Sequence, residues 1–193
     1  MFEHFGVNKD KDIENIEFNK AKKDAFNFIK RCTNGKEKNE TPIDKSIKAL
    51  IAKLNSLSFV YTTIGSCEGH SVSATDVIRR HPNSPIKNLR LPPEGFAKYF
   101  PGYFHLKIDW SSEGRIFIED LKNIIQNFSD ASIEEEFDSE SGFVVYMDRS
   151  DKNGKYFPID EAKQYETIGR ELIKKVERLV DTYLGKVATF EKG

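Results

Sequence analysis

Tyr103-Phe104-His105-Leu106-Lys107-Ile108-Asp109-Trp110 alternates without a break between polar-tolerant and apolar side chains. Tyr103, His105, Lys107 and Asp109 fall on one side and Phe104, Leu106, Ile108 and Trp110 on the other, which is the period-two pattern of a strand with one buried face. The spacing predicts a strand over 103–110 with His105 on its more polar face. Such a strand must cover its apolar side with helices or a second layer. The flanking sequence supplies helices in both directions.

Downstream, Ser111-Ser112-Glu113-Gly114 makes a turn, and Phe117, Leu121, Ile124, Ile125 and Phe128 then recur at helical spacing. Residues 132–138 and 142–148 flank a Ser-Glu-Ser-Gly turn and read as a hairpin or neighbouring strands, with Phe143 to Met147 the more buried member. The acidic run Glu134-Glu135-Glu136 reads as a solvated edge that discourages further strand pairing. A last helix, about 159–184, stripes Ile168, Leu172, Ile173, Val176, Leu179, Val180 and Leu184 along one side, and Gly185 is expected to end it. Trp110, the lone tryptophan, reads as a core or rim residue.

Upstream, residues 1–16 are charged and lack periodicity, whereas Phe18, Ala21, Ala25, Phe26, Phe28 and Ile29 mark a first amphipathic helix. Thr41-Pro42 then offers an N-cap followed by proline in the first helical turn, opening a second helix to Ser56 with Ile43, Ile47, Leu50, Ile51 and Leu54 on its apolar face. Phe59 to Ile64 is β-branched and aromatic and favours a strand, which Ser71 to Ala74 continues after a turn. Four of the seven prolines (Pro82, Pro85, Pro92 and Pro93) fall between Arg79 and Tyr99, so 79–101 is expected to be a long irregular loop. The elements together predict an α/β or α+β protein, a single layer of mixed or antiparallel sheet packed with helices, in one domain over 1–193.

Thirty basic residues against thirty-one acidic ones leave a formal charge of −1, which excludes a strong global field for polyanions or membranes. Any nucleic-acid contact must come from a local patch. No apolar run approaches the roughly 20 residues of a membrane span, and Met1-Phe2-Glu3-His4 does not open like a signal peptide, so the reading is cytoplasmic with no membrane partner. Cys32 and Cys67 are then read as reduced thiols.

Candidate chemistry sits in Tyr61-Thr-Thr-Ile-Gly65-Ser66-Cys67-Glu68-Gly69-His70-Ser-Val72. Gly65 and Gly69 can adopt φ > 0, letting the chain fold tightly and aim backbone N–H groups at one spot. With Ser66 they are candidates to cradle a carboxylate or phosphate. Cys67 and His70 are three apart, close enough in a turn for the imidazole to meet the thiol and favour the thiolate, with Glu68 or His105 as a third group. The alternative is that Cys67 is a small buried residue at a strand end. Cys-x-x-His is also half of a zinc site, but Cys32, His81 and His105 are not spaced to complete it and no metal is expected. Arg79, Arg80, His81, Lys87 and Arg90 follow in the proline-rich loop, either as solvated charges or, with Arg79 and Arg80 foremost, as contacts to a small phosphate-bearing ligand.

Residues 41–72 resemble the wybutosine-synthesis methyltransferase family of tRNA-modifying proteins. In that family a helix of Asp-x-x-Ile-x-x-Leu character leads through a Tyr-Thr-Thr strand into a Ser-Cys-x-Gly turn. Here the matching residues are Asp44, Ile47, Leu50, Leu54, Asn55, Tyr61, Thr62, Thr63, Ser66, Cys67 and Gly69. The family carries further serines and an arginine around the cysteine, where this chain has Gly65, Glu68 and His70. The resemblance implies S-adenosylmethionine as cofactor, tRNA as partner, methylation of a modified guanosine as reaction, and the turn as part of the active-site region. The competing reading is a non-catalytic binding or interaction module in which the turn is structural and helix 159–184 offers a partner or homodimer surface. Exposure of Leu172, Val176 and Leu179 would mark that alternative. A thiol hydrolase with Cys67 as nucleophile is a third reading.

Overall fold

In the computed structural model, which describes residues 17–27, 45–62, 66–136, 142–148 and 150–190, the alternating stretch forms the strand Tyr103–Ile108 (β4). Phe104, Leu106 and Ile108 are buried, whereas Tyr103, His105 and Lys107 are half-buried on the opposite face. The strand pairs antiparallel with Val60–Thr62 (β1) on one side and with Gly142–Tyr146 (β6) on the other. Ser132–Glu135 (β5) pairs with β6 and completes the sheet order β1-β4-β6-β5. Register places Leu106 opposite Phe143 and Phe104 opposite Val145 on the apolar face, and Tyr103 opposite Tyr146 and His105 opposite Val144 on the other. Every side chain's face follows from that register, because a slip of one residue would exchange the two sets.

Three helices cover the apolar face. Lys45–Ser56 (α2) buries Ile47, Leu50, Ile51 and Leu54; Ser112–Ile125 (α4) buries Phe117, Ile118, Leu121 and Ile125; and Ile159–Phe190 (α5) buries Leu172, Ile173, Val176 and Val180 in one cluster with β1, β4 and β6. Ser111 caps α4 by accepting the Gly114 N–H. Asn55 ties α2 to β1, its amide donating to Ile51 O and Thr62 Oγ1 while its carbonyl accepts Thr62 N–H at 3.2 Å. A helix over 17–27 (α1) brings Phe18 edge-on to Tyr61 at 5.1 Å, and the Lys22 ammonium donates to Leu57 O.

The remaining strands form a second antiparallel sheet, so the α+β architecture carries two sheets where the sequence predicts a single layer. His70–Ser73 (β2), Phe96–Phe100 (β3) and Tyr156–Pro158 (β7) run in the order β2-β3-β7. The expectation of a loop over 79–101 is corrected at both ends. Ala74–Arg80 is a helix (α3) opened by a Ser73/Asp76 capping box, and β3 is the central strand of its sheet. Its five residues lie between Pro93 and Pro101, so prolines bracket the strand without interrupting its ladder, and Ala97 and Tyr99 alternate inward. Gly185 does not end the last helix, which continues to Phe190; one interior glycine costs about 1 kcal/mol, too little to stop a long helix whose neighbours favour it. Among the described residues no helix is long and apolar enough to cross a membrane. Trp110 is a rim residue, 43% exposed with its ring 6.0 Å from Phe143. Cys32, Asp44, Thr63 and Gly65 lie outside the described residues.

Candidate functional site

The two sheets meet where the chain passes from β3 to β4 through Pro101-Gly102. Across this junction Cys67 and Tyr103 exchange both backbone hydrogen bonds at 2.8 Å, while β2 and β3 pair beyond it. Between these ladders Gly69 takes φ +82°, and a Cβ there would stand 2.7 Å from Gly102 N. A Cβ on Gly102 would stand 2.6 Å from Glu68 O. The two glycines therefore let the backbones pass at a separation no other residue allows, and the ribbon bends. Met147 N–H donates to Gly102 O at 2.8 Å and carries β6 into the same junction.

The bend leaves an open cavity of about 540 Å³. Phe100, Tyr103 and Tyr146 supply aromatic walls, Cys67, His70 and His105 the reactive atoms, and Pro101 and Asn153 the rim. Tyr103 and His105 are there because they share the half-buried face of β4, and Tyr146 because the register sets it beside Tyr103. Asn153 is held by its loop: Gly154 N–H donates to Tyr99 O, Tyr99 N–H to Lys155 O, and Lys152 Nζ pairs with Asp148 at 2.7 Å while lying 3.8 Å from the Tyr165 ring centroid. Burial pushes the Tyr99 phenol far above its ordinary range, and the neighbouring Asp148 carboxylate adds to that. The phenol is thus held protonated next to Asp148. Glu166 pins β2 to α5 by accepting Ser71 N–H at 2.7 Å and Ser71 O–H at 2.6 Å.

Two polar pairs reach the cavity, one through Cys67 and His70 and the other through His105. Cys67 Sγ lies 3.7 Å from His70 Nδ1 and accepts Gly69 N–H at 3.4 Å, and the His70 ring stacks on Phe100 with centroids 5.2 Å apart. On the other side His105 Nδ1 is 2.7 Å from Glu136 Oε1, and Lys107 Nζ is 3.4 Å from Glu136 Oε2. Partial burial works to raise the Glu136 carboxyl's pKa, but the hydrogen bond with His105 and the Lys107 ammonium outweigh it and hold the group below its ordinary value. A carboxylate only accepts, so Nδ1 is the donor and the neutral ring keeps Nε2 as its acceptor.

Of the residues singled out in the sequence, Cys67, His70 and His105 come together around the cavity. Ser66 sits in the turn with its hydroxyl oxygen buried and lacking a hydrogen-bond partner among the described residues. Glu68 does not line the cavity; its carbonyl packs on Gly102. Arg79 does not line it either and pairs with Asp76 at 3.0 Å, whereas Arg80 lines a second cleft beside the first. Among the described residues no group of three or more His, Cys, Asp or Glu side chains is placed to hold a metal ion. Sequence reasoning missed Phe100, Tyr103, Tyr146, Asn153 and Glu136. Tyr103 was within reach, two places before His105 on the same strand face. Glu136 is a correction: Glu134 and Glu135 are exposed, but the third member of the acidic run turns inward against the His105 imidazole and the Lys107 ammonium.

The fold defines an α+β protein of two bent antiparallel sheets with an aromatic, imidazole-bearing cavity at their junction. No family model and no curated protein matches the chain. Among solved structures, the PH1069 protein from Pyrococcus horikoshii is similar at 17% identity and a TM-score of 0.56, covering 86% of this chain and 97% of that one. A second structure of PH1069, from Pyrococcus horikoshii OT3, aligns at 17% identity and a TM-score of 0.42 over 89% of this chain and 94% of that one. A hypothetical protein from Aeropyrum pernix aligns at 17% identity and a TM-score of 0.32 over 75% and 96%. The first likeness is one of fold.

Proposed function

We propose that the protein is an S-adenosylmethionine-dependent methyltransferase of the tRNA-modification type, acting in the cytoplasm on a guanine-derived base. The observation that carries this reading is the meeting of three aromatic rings, two imidazoles and a thiol in one open cavity. Phe100, Tyr103 and Tyr146 offer π faces on which a planar base can stack. The same electron-rich faces attract the positive charge of a sulfonium, so these side chains fit the methyl donor as well. The volume of about 540 Å³ lies in the range of small-molecule sites.

When bound, S-adenosylmethionine would supply an electrophilic methyl group. An acceptor nitrogen that gains this methyl must shed the proton it carried, and His105 has Nε2 available to take it because Glu136 holds Nδ1. Cys67 is the contact thiol of the cavity, and His70 is the acid/base or anion contact beside it. The long helix favours a pocket protein over an interaction module. Leu172 and Val176 are fully buried and Leu179 packs against the core, so the stripe is occupied within the chain itself.

Transfer of a radiolabelled methyl group from S-adenosylmethionine to tRNA tests the reading. Label should enter tRNA with the native protein, and His105→Ala should slow its entry by about 10²-fold or more, the scale of a lost general base. Absence of label, with no heat of S-adenosylmethionine binding at high concentration, would overturn it.

A further inference from the structure

We infer that the aromatic cavity is half of a bipartite site, and that the cleft on the far side of His70 and Phe100 takes the phosphate of a nucleotide whose base occupies the cavity. This rests on the nucleobase reading of the first cavity and adds where the ligand's charge lies. The cleft, about 380 Å³, shares His70 and Phe100 with the cavity, so one stacked pair is the common wall. Arg80, Arg90 and Lys98 line it, and no carboxylate does. None of the three makes an ion pair among the described residues. Asp76, four residues before Arg80 and within reach of its charge, is engaged by hydrogen bonds from Ser73 and by the ion pair with Arg79, and Glu94, four residues from both Arg90 and Lys98, does not line the cleft.

Three cations around one small cleft repel one another, and a dianion with several acceptor oxygens relieves that repulsion. Guanidinium groups match phosphate oxygens in planar, two-pronged geometry. Lys98 is placed by β3, with Nζ 5.5 Å from the Phe100 ring centroid, so the strand that contributes the aromatic wall also contributes a cation one pleat away. A ligand with a ring on one side of Phe100 and a phosphate on the other satisfies both halves. With a formal charge of −1 over the whole chain, this local cluster is what an anion would find.

Calorimetric titration with guanosine 5′-monophosphate, guanosine and inorganic phosphate tests the inference without using the methyl donor. The nucleotide should bind at least about tenfold more tightly than the nucleoside, as one charge-assisted contact is worth that much. Arg90→Gln and Lys98→Gln should each weaken the nucleotide about tenfold and leave guanosine unchanged, whereas Lys87→Gln, at an exposed cation of the short 3-10 turn Ile86–Asn88 outside the cleft, should alter neither. Equal affinity for nucleotide and nucleoside, no nucleotide binding at millimolar concentration, or an equal effect of Lys87→Gln would overturn the inference. Inorganic phosphate binding as tightly as the nucleotide would also overturn it, showing a free-anion site. Loss of methyl transfer with the phosphate preference intact would sink the methyltransferase reading alone.

Discussion

Glu136 carries the sharpest residue-scale consequence. Its carboxyl sits below its ordinary value of 4.5, so its bonds to His105 and Lys107 contribute fully above about pH 4.5 and are lost as pH falls through the folded-state value. Glu136→Gln should therefore lower stability at pH 7 by about 1 kcal/mol, the scale of a partly exposed pair, and the variant and native unfolding curves should converge in acid, once the pH lies below the folded-state value. Urea denaturation at pH 7 and in acid measures this, and an unchanged gap between the curves would contradict it. The residue was hidden in the sequence because three consecutive glutamates look alike, and only the paired strand decides which one turns inward. Cys67 and His70 were legible together, since their separation of three within a glycine turn already limits how far apart they can lie.

At the scale of elements, periodicity located α2, α4, α5 and β4 because each buries one face, and a buried face writes its own repeat into the chain. The stripe on α5 makes a graded prediction. Leu172→Ala, at a fully buried site, should cost about 2–5 kcal/mol, whereas Ile168→Ala, 38% exposed, should stay within about 1 kcal/mol. Chemical denaturation distinguishes the two, and comparable losses would contradict the packing. β3 and α3 escaped notice for the opposite reason. Both are short, five and seven residues, and both sit among prolines and charges that mask a brief alternation. Gly185 misleads because a glycine that ends a helix and one tolerated inside it are the same letter, and only the run of the helix on to Phe190 tells them apart.

For the whole molecule, the junction of the two sheets is the feature on which the site depends. Gly102→Ala would set a Cβ 2.6 Å from Glu68 O and 2.7 Å from Met147 Sδ, so the turn bearing Cys67 must shift. The variant should lose about 1–3 kcal/mol through overpacking, and the rate at which native-state Cys67 is alkylated should change with it. Native stability together with a native alkylation rate would show that the junction is not a constraint. By itself the sequence determined a mixed class, α/β or α+β, the principal amphipathic helices, the central strand and the thiol–imidazole turn, because local spacing alone dictates which faces are apolar and which side chains are neighbours. Only the tertiary structure decided that the strands divide into two sheets, that Tyr146, Phe100 and Asn153 join Cys67 and His105 around one cavity, and that Arg80, Arg90 and Lys98 share a cleft. These groups are brought together by strand register and by the bend at Gly69 and Gly102, and both depend on pairings between segments far apart in the chain, which no local pattern records.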